Sequence, residues 1–327
     1  MTSTAIKNRT EQKYLPIFLD SLRIDSVLDF DLYIQVNGRL VLYRSADLPF
    51  TDRTKAKLVD NKVDRLFITN ENRSHYQRYI ETNLDKILED SSVPEEKKAG
   101  ILYDTSTNLV KDVLANPSFG ENIKRSKDLV TNTVGYVLQG REAFLNLLKI
   151  TSFDYYTYTH SVNVCTFSIA LAQQIGINDE ESLNELGVGA LLHDVGKSRI
   201  SERILHKHGP LSPIEFEIIK NHPKWGVEVL TETNAIYDSS YYPVLQHHER
   251  GDKQGYPEGL SLDEMHQFSK IVAIADSFDA MTTERVYQKA MNTFPAMKIL
   301  MSLKGAYDDE LMRSFIELMG PTGLLEI

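Results

Sequence analysis

Apolar and polar positions follow one rhythm near the start of the chain and another through the rest of it. Over 32–43 the runs LYIQV and RLVLY flank Asn37-Gly38, the dipeptide best suited to a two-residue type I′ turn, and the pattern predicts a β-hairpin. RLFIT at 65–69 is rich enough in β-branched and aromatic residues for a third strand, and 51–60 predicts a short helix. From 71 to 89 the period changes, with Tyr76, Ile80, Leu84 and Ile87 at helical spacing. Residues 1–13 are polar and are expected to form a disordered tail.

After Ser91-Ser92-Val93-Pro94 the pattern is helical throughout. Pro94 followed by Glu95 and Glu96 has the form of a first helical turn, Pro117 and Gly120 interrupt the run, and no convincing strand follows residue 121. The expected class is therefore α+β. A small α/β accessory domain at 14–92 is joined by a helical connector at 93–139 to an all-helical bundle at 140–327. The connector is long enough to transmit a shift or to pair with a second chain, which makes a homodimer a candidate assembly.

Composition narrows the class. With 42% hydrophobic and 25% charged residues the chain is an ordinary globular one, and its net charge of −10 argues against DNA as a partner. It does not argue against a small anion, because bound metal ions invert the local field. The single cysteine, Cys165, permits no intrachain disulfide and fits a reducing compartment. The start has no apolar segment of signal-peptide type, and no run of about 18 apolar residues is long enough for a membrane span. The expected location is the cytoplasm.

The histidines carry the chemistry. His160, His193, His222, His247 and His248 fall in a series of short motifs, with Asp194 beside His193 and Asp276 on a later apolar segment. Helical spacing puts His160 in line with Val164, Phe167, Leu171 and Ile175. Leu183, Leu186, Ala190 and Leu191 lead to His193-Asp194, after which Gly196 allows a sharp exit and Lys197 follows. Ser212-Pro213-Ile214-Glu215 reads as a capping box, and the helix it opens carries Ile214, Ile218 and His222 on one inward face. Phe268, Val272 and Ala275 carry Asp276 inward. His75 stands apart and reads as a surface residue.

One histidine on an apolar face is usually a core residue bonded to the backbone, and Lys197 by itself could merely solvate a helix end. Burying all these imidazoles with two carboxylates and no common partner would be costly at every position. Together they exceed the needs of one four-coordinate ion and suit a pair of transition metals with Asp194 between them.

The stretches YTYTHSVNV (156–164), LLHDVGK (191–197), NHPKWG (221–226), HHERGDKQGYPEGL (247–260) and IADSFDAMTTER (274–285) carry a family likeness. Over roughly 140–315 the chain resembles the HD-GYP subgroup of the HD-superfamily metal-dependent phosphohydrolases. The resemblance implies hydrolysis of the bacterial second messenger cyclic-di-GMP by a helical domain holding two or three metal ions. By motif position, one metal takes His160, His193, Asp194 and Asp276. The other takes Asp194, His222, His247 and His248. So nitrogen-rich a set favours iron, with manganese as the alternative, over magnesium. The implied reaction is in-line attack by a hydroxide held between the metals, with Asp194 and Lys197 as catalytic residues. Lys197 would also hold a phosphate oxygen, and Arg285 a second phosphate. The loop Gly255-Tyr256-Pro257 would border the site, with Gly255 supplying an unusual backbone shape and Tyr256 contacting guanine or phosphate.

The sequence departs from the family pattern at named positions. Tyr156 stands where members with a third metal have glutamate, so two metals are expected. Lys253 replaces a usual glycine, and Val286 and Gln288 replace the usual proline and basic residue. These departures keep a second reading open: a weakly active or inactive protein that binds nucleotide or serves as a scaffold for a GGDEF-domain partner. A phosphohydrolase acting on another nucleotide is a third. No GGDEF or EAL motif is present in the chain itself.

Overall fold

The computed structural model describes residues 13–320, apart from 25, 151–156, 208 and 284–289. It divides into two compact units, Met1–Thr105 and Ser106–Ile327.

The first unit is built on an antiparallel sheet in the order β1-β6-β3-β4, formed by β1 (Tyr14–Phe18), β3 (Leu32–Val36), β4 (Arg39–Arg44) and β6 (Arg65–Thr69). The hairpin forms as its sequence predicts: Val36 pairs with Arg39, and Asn37 and Gly38 take φ values of 49° and 77°, the left-handed pair that a type I′ turn requires. Two short strands, β2 (Ser26–Val27) and β5 (Pro49–Phe50), make a separate ribbon. Strand β1 is absent from the pattern-based expectation because Pro16 interrupts YLPIF. Its place at the sheet edge, against β6 alone, explains why a residue without an N–H is accepted there.

Helix α1 (Asp52–Asp60) is capped by the Thr51 side chain, which accepts from Thr54 N–H. In α2 (Arg73–Glu89), Ile80, Leu84 and Ile87 are buried as their spacing predicts. Tyr76 is half-buried, and its ring meets Phe30 edge-on while its hydroxyl pairs with Ser21. The core of this unit gathers Ile17, Leu22, Phe30, Leu32, Phe50 and Leu66. His75 is exposed, with Nδ1 2.8 Å from Asp29 Oδ2.

Helix α3 (Glu95–Ala115) begins in the first unit and ends in the second, which continues with α4 (Gly120–Val137), α5 (Arg141–Ile150), α6 (Thr157–Gln174) and α7 (Glu180–Leu192). These are followed by the short α8 (Glu202–Leu205), α9 (Pro213–Ile219), α10 (His222–Thr233) and α11 (Tyr241–Gln246), and by α12 (Gln267–Thr282), α13 (Thr293–Ser302) and α14 (Asp309–Met319). Among the described residues no helix is long and apolar enough to cross a membrane. Helix α6 is central: every residue from Thr159 to Ala172 is buried, so here the sequence periodicity does not mark out one inward face. It packs on α7, α12 and α14. Phe167 of α6, Phe278 of α12 and Phe315 of α14 meet edge-to-face, with ring centroids 5.2–6.4 Å apart.

That aromatic cluster fixes the rotation of α12, and with it the direction of the acids flanking Phe278. Phe315 is fully buried. Phe315→Ala is expected to destabilise the helical unit by about 3–5 kcal/mol. A urea-unfolding midpoint indistinguishable from wild type would contradict this packing role.

Candidate metal centre

Six segments converge on one buried point. His160 lies in the first turn of α6. His193 closes α7 and Asp194 follows it, opening a short 3-10 turn over Val195–Arg199. His222 begins α10, His247 and His248 follow α11, and Asp276 lies in α12. The aligned face expected for Ile214, Ile218 and His222 does not form. The capping box at Ser212 and Glu215 is present, but α9 ends at Ile219, Ile214 is 75% exposed, and His222 belongs to the next helix. His222 is nonetheless fully buried, because α10 is pressed against the turn after Asp194.

Glycine makes that approach possible. A Cβ on Gly196 would lie 2.0 Å from the His222 carbonyl oxygen and 2.5 Å from Gly226 N. Gly196 thus serves close backbone contact, in place of the sharp exit expected of it, and brings the His193-Asp194 pair within reach of His222.

Hydrogen bonds set the tautomer of four of the five imidazoles. His193 Nδ1–H donates to Ala190 O at 2.7 Å, His222 Nδ1–H to Ile219 O at 2.8 Å, and His247 Nδ1–H to Pro243 O at 2.9 Å. His160 Nδ1–H donates to Asp279 Oδ2 at 2.7 Å, and the other oxygen of Asp279 accepts from Asn163 at 2.8 Å. A backbone carbonyl can only accept, so the neutral rings turn an Nε2 lone pair inward. Carboxylate or carbonyl support behind the imidazole is the usual arrangement around metal-ligating histidine.

Asp194 stands between two groups. Its Oδ2 is 3.4 Å from His193 Nε2 and 3.8 Å from His160 Nε2, whereas Oδ1 is 3.3 Å from His222 Nε2 and 3.9 Å from His247 Nε2. Lys197 Nζ donates to Oδ2 at 2.6 Å. Asp276 also faces both sides, with Oδ1 3.0 Å from His160 Nε2 and Oδ2 3.5 Å from His248 Nδ1. Two sets of donor atoms result, His160-His193-Asp194 and His222-His247-His248, each within a span of 4.8 Å.

Burial works against charge on these groups, and their neighbours decide the outcome. Burial would raise the Asp194 carboxyl, but the Lys197 ammonium in contact with it outweighs burial and holds it well below the usual range. Burial and the neighbouring imidazoles push His247 well below its ordinary value. His248 drops to about 3, chiefly through burial. Neutral imidazoles beside ionised carboxylates form the protonation state that metal binding requires.

The donor set fits a divalent transition metal. His193 Nε2 and Asp194 Oδ1 are buried with no hydrogen-bond partner among the described residues. His222 Nε2 and His247 Nε2 lie 3.0 Å apart, so two inward lone pairs oppose one another unless a cation stands between them.

The loop after His248 closes over this point. Glu249, almost fully buried, accepts from Glu258 N–H at 2.6 Å, Gly259 N–H at 3.2 Å and Leu260 N–H at 2.9 Å. Tyr256 N–H donates to His248 O, and the Tyr256 ring lies 4.7 Å from that of His248. Burial, with Asp276 and Asp194 nearby, pushes the Tyr256 phenol above its usual range and keeps it a donor. Gly255 does not have the unusual backbone shape expected of it. A Cβ there would lie 2.3 Å from Arg250 N, so the glycine serves close packing, and the peptide from Tyr256 to Pro257 is cis. The left-handed torsions of this loop fall on Lys253, at φ 62°, and Gly259, at φ 70°, and the first explains why the family resemblance implies glycine at position 253. Its side chain is exposed near Glu264.

Sequence reasoning missed Asp279, Asn163 and Glu249. The signal for the first two was spacing: each stands three residues after a proposed ligand, on the same helix. Arg285, Tyr156, Val286 and Gln288 lie outside the described residues.

The chain is similar in sequence and in fold to known proteins. Residues 144–311 match the model of the HD domain. A cyclic di-GMP phosphodiesterase of Pseudomonas aeruginosa is 33% identical over 235 residues, 71% of this chain and 56% of that relative. A cyclic di-GMP phosphodiesterase of Thermotoga maritima is 35% identical over 209 residues, 62% of this chain and again 56% of the relative. The chain thus spans little more than half the length of these relatives. In fold it is similar to Bd1817, an HDG"Y"P protein from Bdellovibrio bacteriovorus. The TM-score is 0.65 at 24% identity, over 94% of this chain and 99% of the other.

Two outcomes follow from the site. In chelator-treated protein, the unfolded chain takes up protons on His247 and His248 below about 6.5, whereas the folded chain resists until far lower pH, about 3 for His248. More protons on the unfolded state mean stability falls as pH falls through that window. Thermal midpoints at pH 7, 6 and 5 should descend in that order, and a flat or rising series would contradict it. Separately, Lys253→Gly relieves a left-handed lysine and should stabilise the protein by about 0.5–1 kcal/mol in urea unfolding, where a loss would contradict the strain.

Proposed function

Because the chain belongs to the HD-domain family, in its HD-GYP branch, we propose that it is a phosphodiesterase that hydrolyses cyclic-di-GMP at a dinuclear metal centre. The observation that carries this reading is the division of Asp194, whose two oxygens face two separate groups of imidazoles. In the proposed assignment one ion takes His160, His193, Asp194 and Asp276, and the other takes Asp194, His222, His247 and His248. The predominance of nitrogen donors favours iron, with manganese second. When bound, such ions supply Lewis acidity toward phosphoryl oxygens and acidify the water used for in-line attack.

The chain's own groups do the rest. Asp279 keeps His160 aimed and in one tautomer. Lys197 neutralises Asp194 from the solvent side, where its ammonium can also hold a nonbridging oxygen of the scissile phosphate. Tyr256, protonated and fixed by its backbone bond to His248, donates its hydroxyl to the phosphate or offers its ring to guanine. Arg285 takes the second phosphate by motif position.

Protein purified without oxygen should carry about two ions of iron or manganese per chain and convert cyclic-di-GMP to a linear product. Asp194→Ala should lower the metal content and reduce turnover by about a thousandfold or more. Two bound ions without turnover would replace the enzyme by the nucleotide-binding or GGDEF-partner scaffold. No bound metal would overturn the site itself.

A further inference from the structure

Beside the ligand cluster lies a cavity of 280 Å³, and two of the groups lining it, Phe216 and Lys220, take no part in the metal chemistry. They stand one helical turn apart, Phe216 within α9 and Lys220 as its C-cap, and share the cavity with His248 and Tyr256. Phe216 is 47% exposed, a large apolar ring open to water beside a polar site. The Lys220 ammonium lies 5.5 Å from the centre of that ring.

The available cations differ in how firmly they are held. Lys197 is fixed on buried Asp194 at 2.6 Å, and Arg250 is bound to Asp252 by two hydrogen bonds. Lys220 pairs with Glu217 on its own helix, a carboxylate whose side chain is 67% exposed. Exposed pairs at this spacing are weak, so a phosphate can take the ammonium from Glu217 at little cost.

A cyclic dinucleotide carries two phosphates and two bases, and only one phosphate reacts at a time. Resting on the phosphodiesterase reading above, we propose that Phe216 and Lys220 form the subsite for the half of the substrate that is not cut. The base stacks on the Phe216 ring and the uncut phosphate binds the Lys220 ammonium. This places a cation for the uncut phosphate on α9, in addition to the contact assigned to Arg285 by motif position. A stacked base and a charge-assisted phosphate contact each correspond to about tenfold to a hundredfold in affinity.

The test compares two substrates, cyclic-di-GMP and bis(p-nitrophenyl) phosphate. The second is a phosphodiester with no uncut half. Steady-state kinetics of wild type, Lys220→Met, Lys220→Arg and Phe216→Ala at equal metal content should show a KM for cyclic-di-GMP raised about tenfold or more in the Met and Ala variants. The ratio of kcat/KM for the cyclic dinucleotide to that for the simple diester should fall by a similar factor, with Lys220→Arg restoring most of it. If wild type cleaves both substrates and the variants keep the wild-type ratio, the subsite is overturned and the phosphodiesterase reading stands. If wild type cleaves the simple diester but neither cleaves nor binds cyclic-di-GMP, the substrate reading fails and the subsite fails with it. If wild type cleaves neither, calorimetric binding of cyclic-di-GMP decides: loss in Lys220→Met supports the subsite, and equal or absent binding in wild type and variant overturns it.

Discussion

Everything in the helical unit depends on holding Asp194, Asp276 and five imidazoles together in a space where each would be costly alone. A buried carboxylate and a buried lone pair are both unfavourable without partners. The fold meets this cost from behind: backbone carbonyls and Asp279 take the outward N–H groups of His160, His193, His222 and His247, which leaves their inward atoms with a single kind of role. The central helix α6, buried over its whole girth, and the Phe167-Phe278-Phe315 cluster supply the rigidity that such crowding demands.

How much of this the sequence discloses varies with the kind of information involved. The Asn37-Gly38 hairpin is legible because its turn chemistry is local, and the inward direction of Asp276 because α12 is long and regular. Strand β1 is illegible because Pro16 speaks against a strand unless the strand is known to lie at an edge. The burial of His222 is correct for a reason other than its spacing. The chain breaks between α9 and α10, and the residue is buried by a contact between Gly196 and the backbone at His222 and Gly226, which no periodicity records.

The glycines show the same limit. Gly196 and Gly255 are visible in the sequence as glycines, but whether a glycine serves a torsion angle or an approach between distant segments depends on what packs against it. Both serve approach, and the strained torsion falls on Lys253. Likewise Asp279 and Asn163 lie within plain sight of the ligands along the chain. Their function appears only when α6 and α12 are side by side and His160 is seen to need a partner on its far nitrogen.

Glu249 follows the His247-His248 pair directly, and its carboxylate gathers three N–H groups of the loop that carries Tyr256. One peptide bond therefore separates an imidazole facing the centre from the anchor of the covering loop. Order in the loop and placement of the imidazoles share a single free energy. Under the proposed metal assignment, an ion held through His248 and a molecule bound against the loop would each raise affinity for the other by the same factor, as thermodynamic reciprocity requires. On that assignment the covering loop would serve as a gauge of the centre's occupancy.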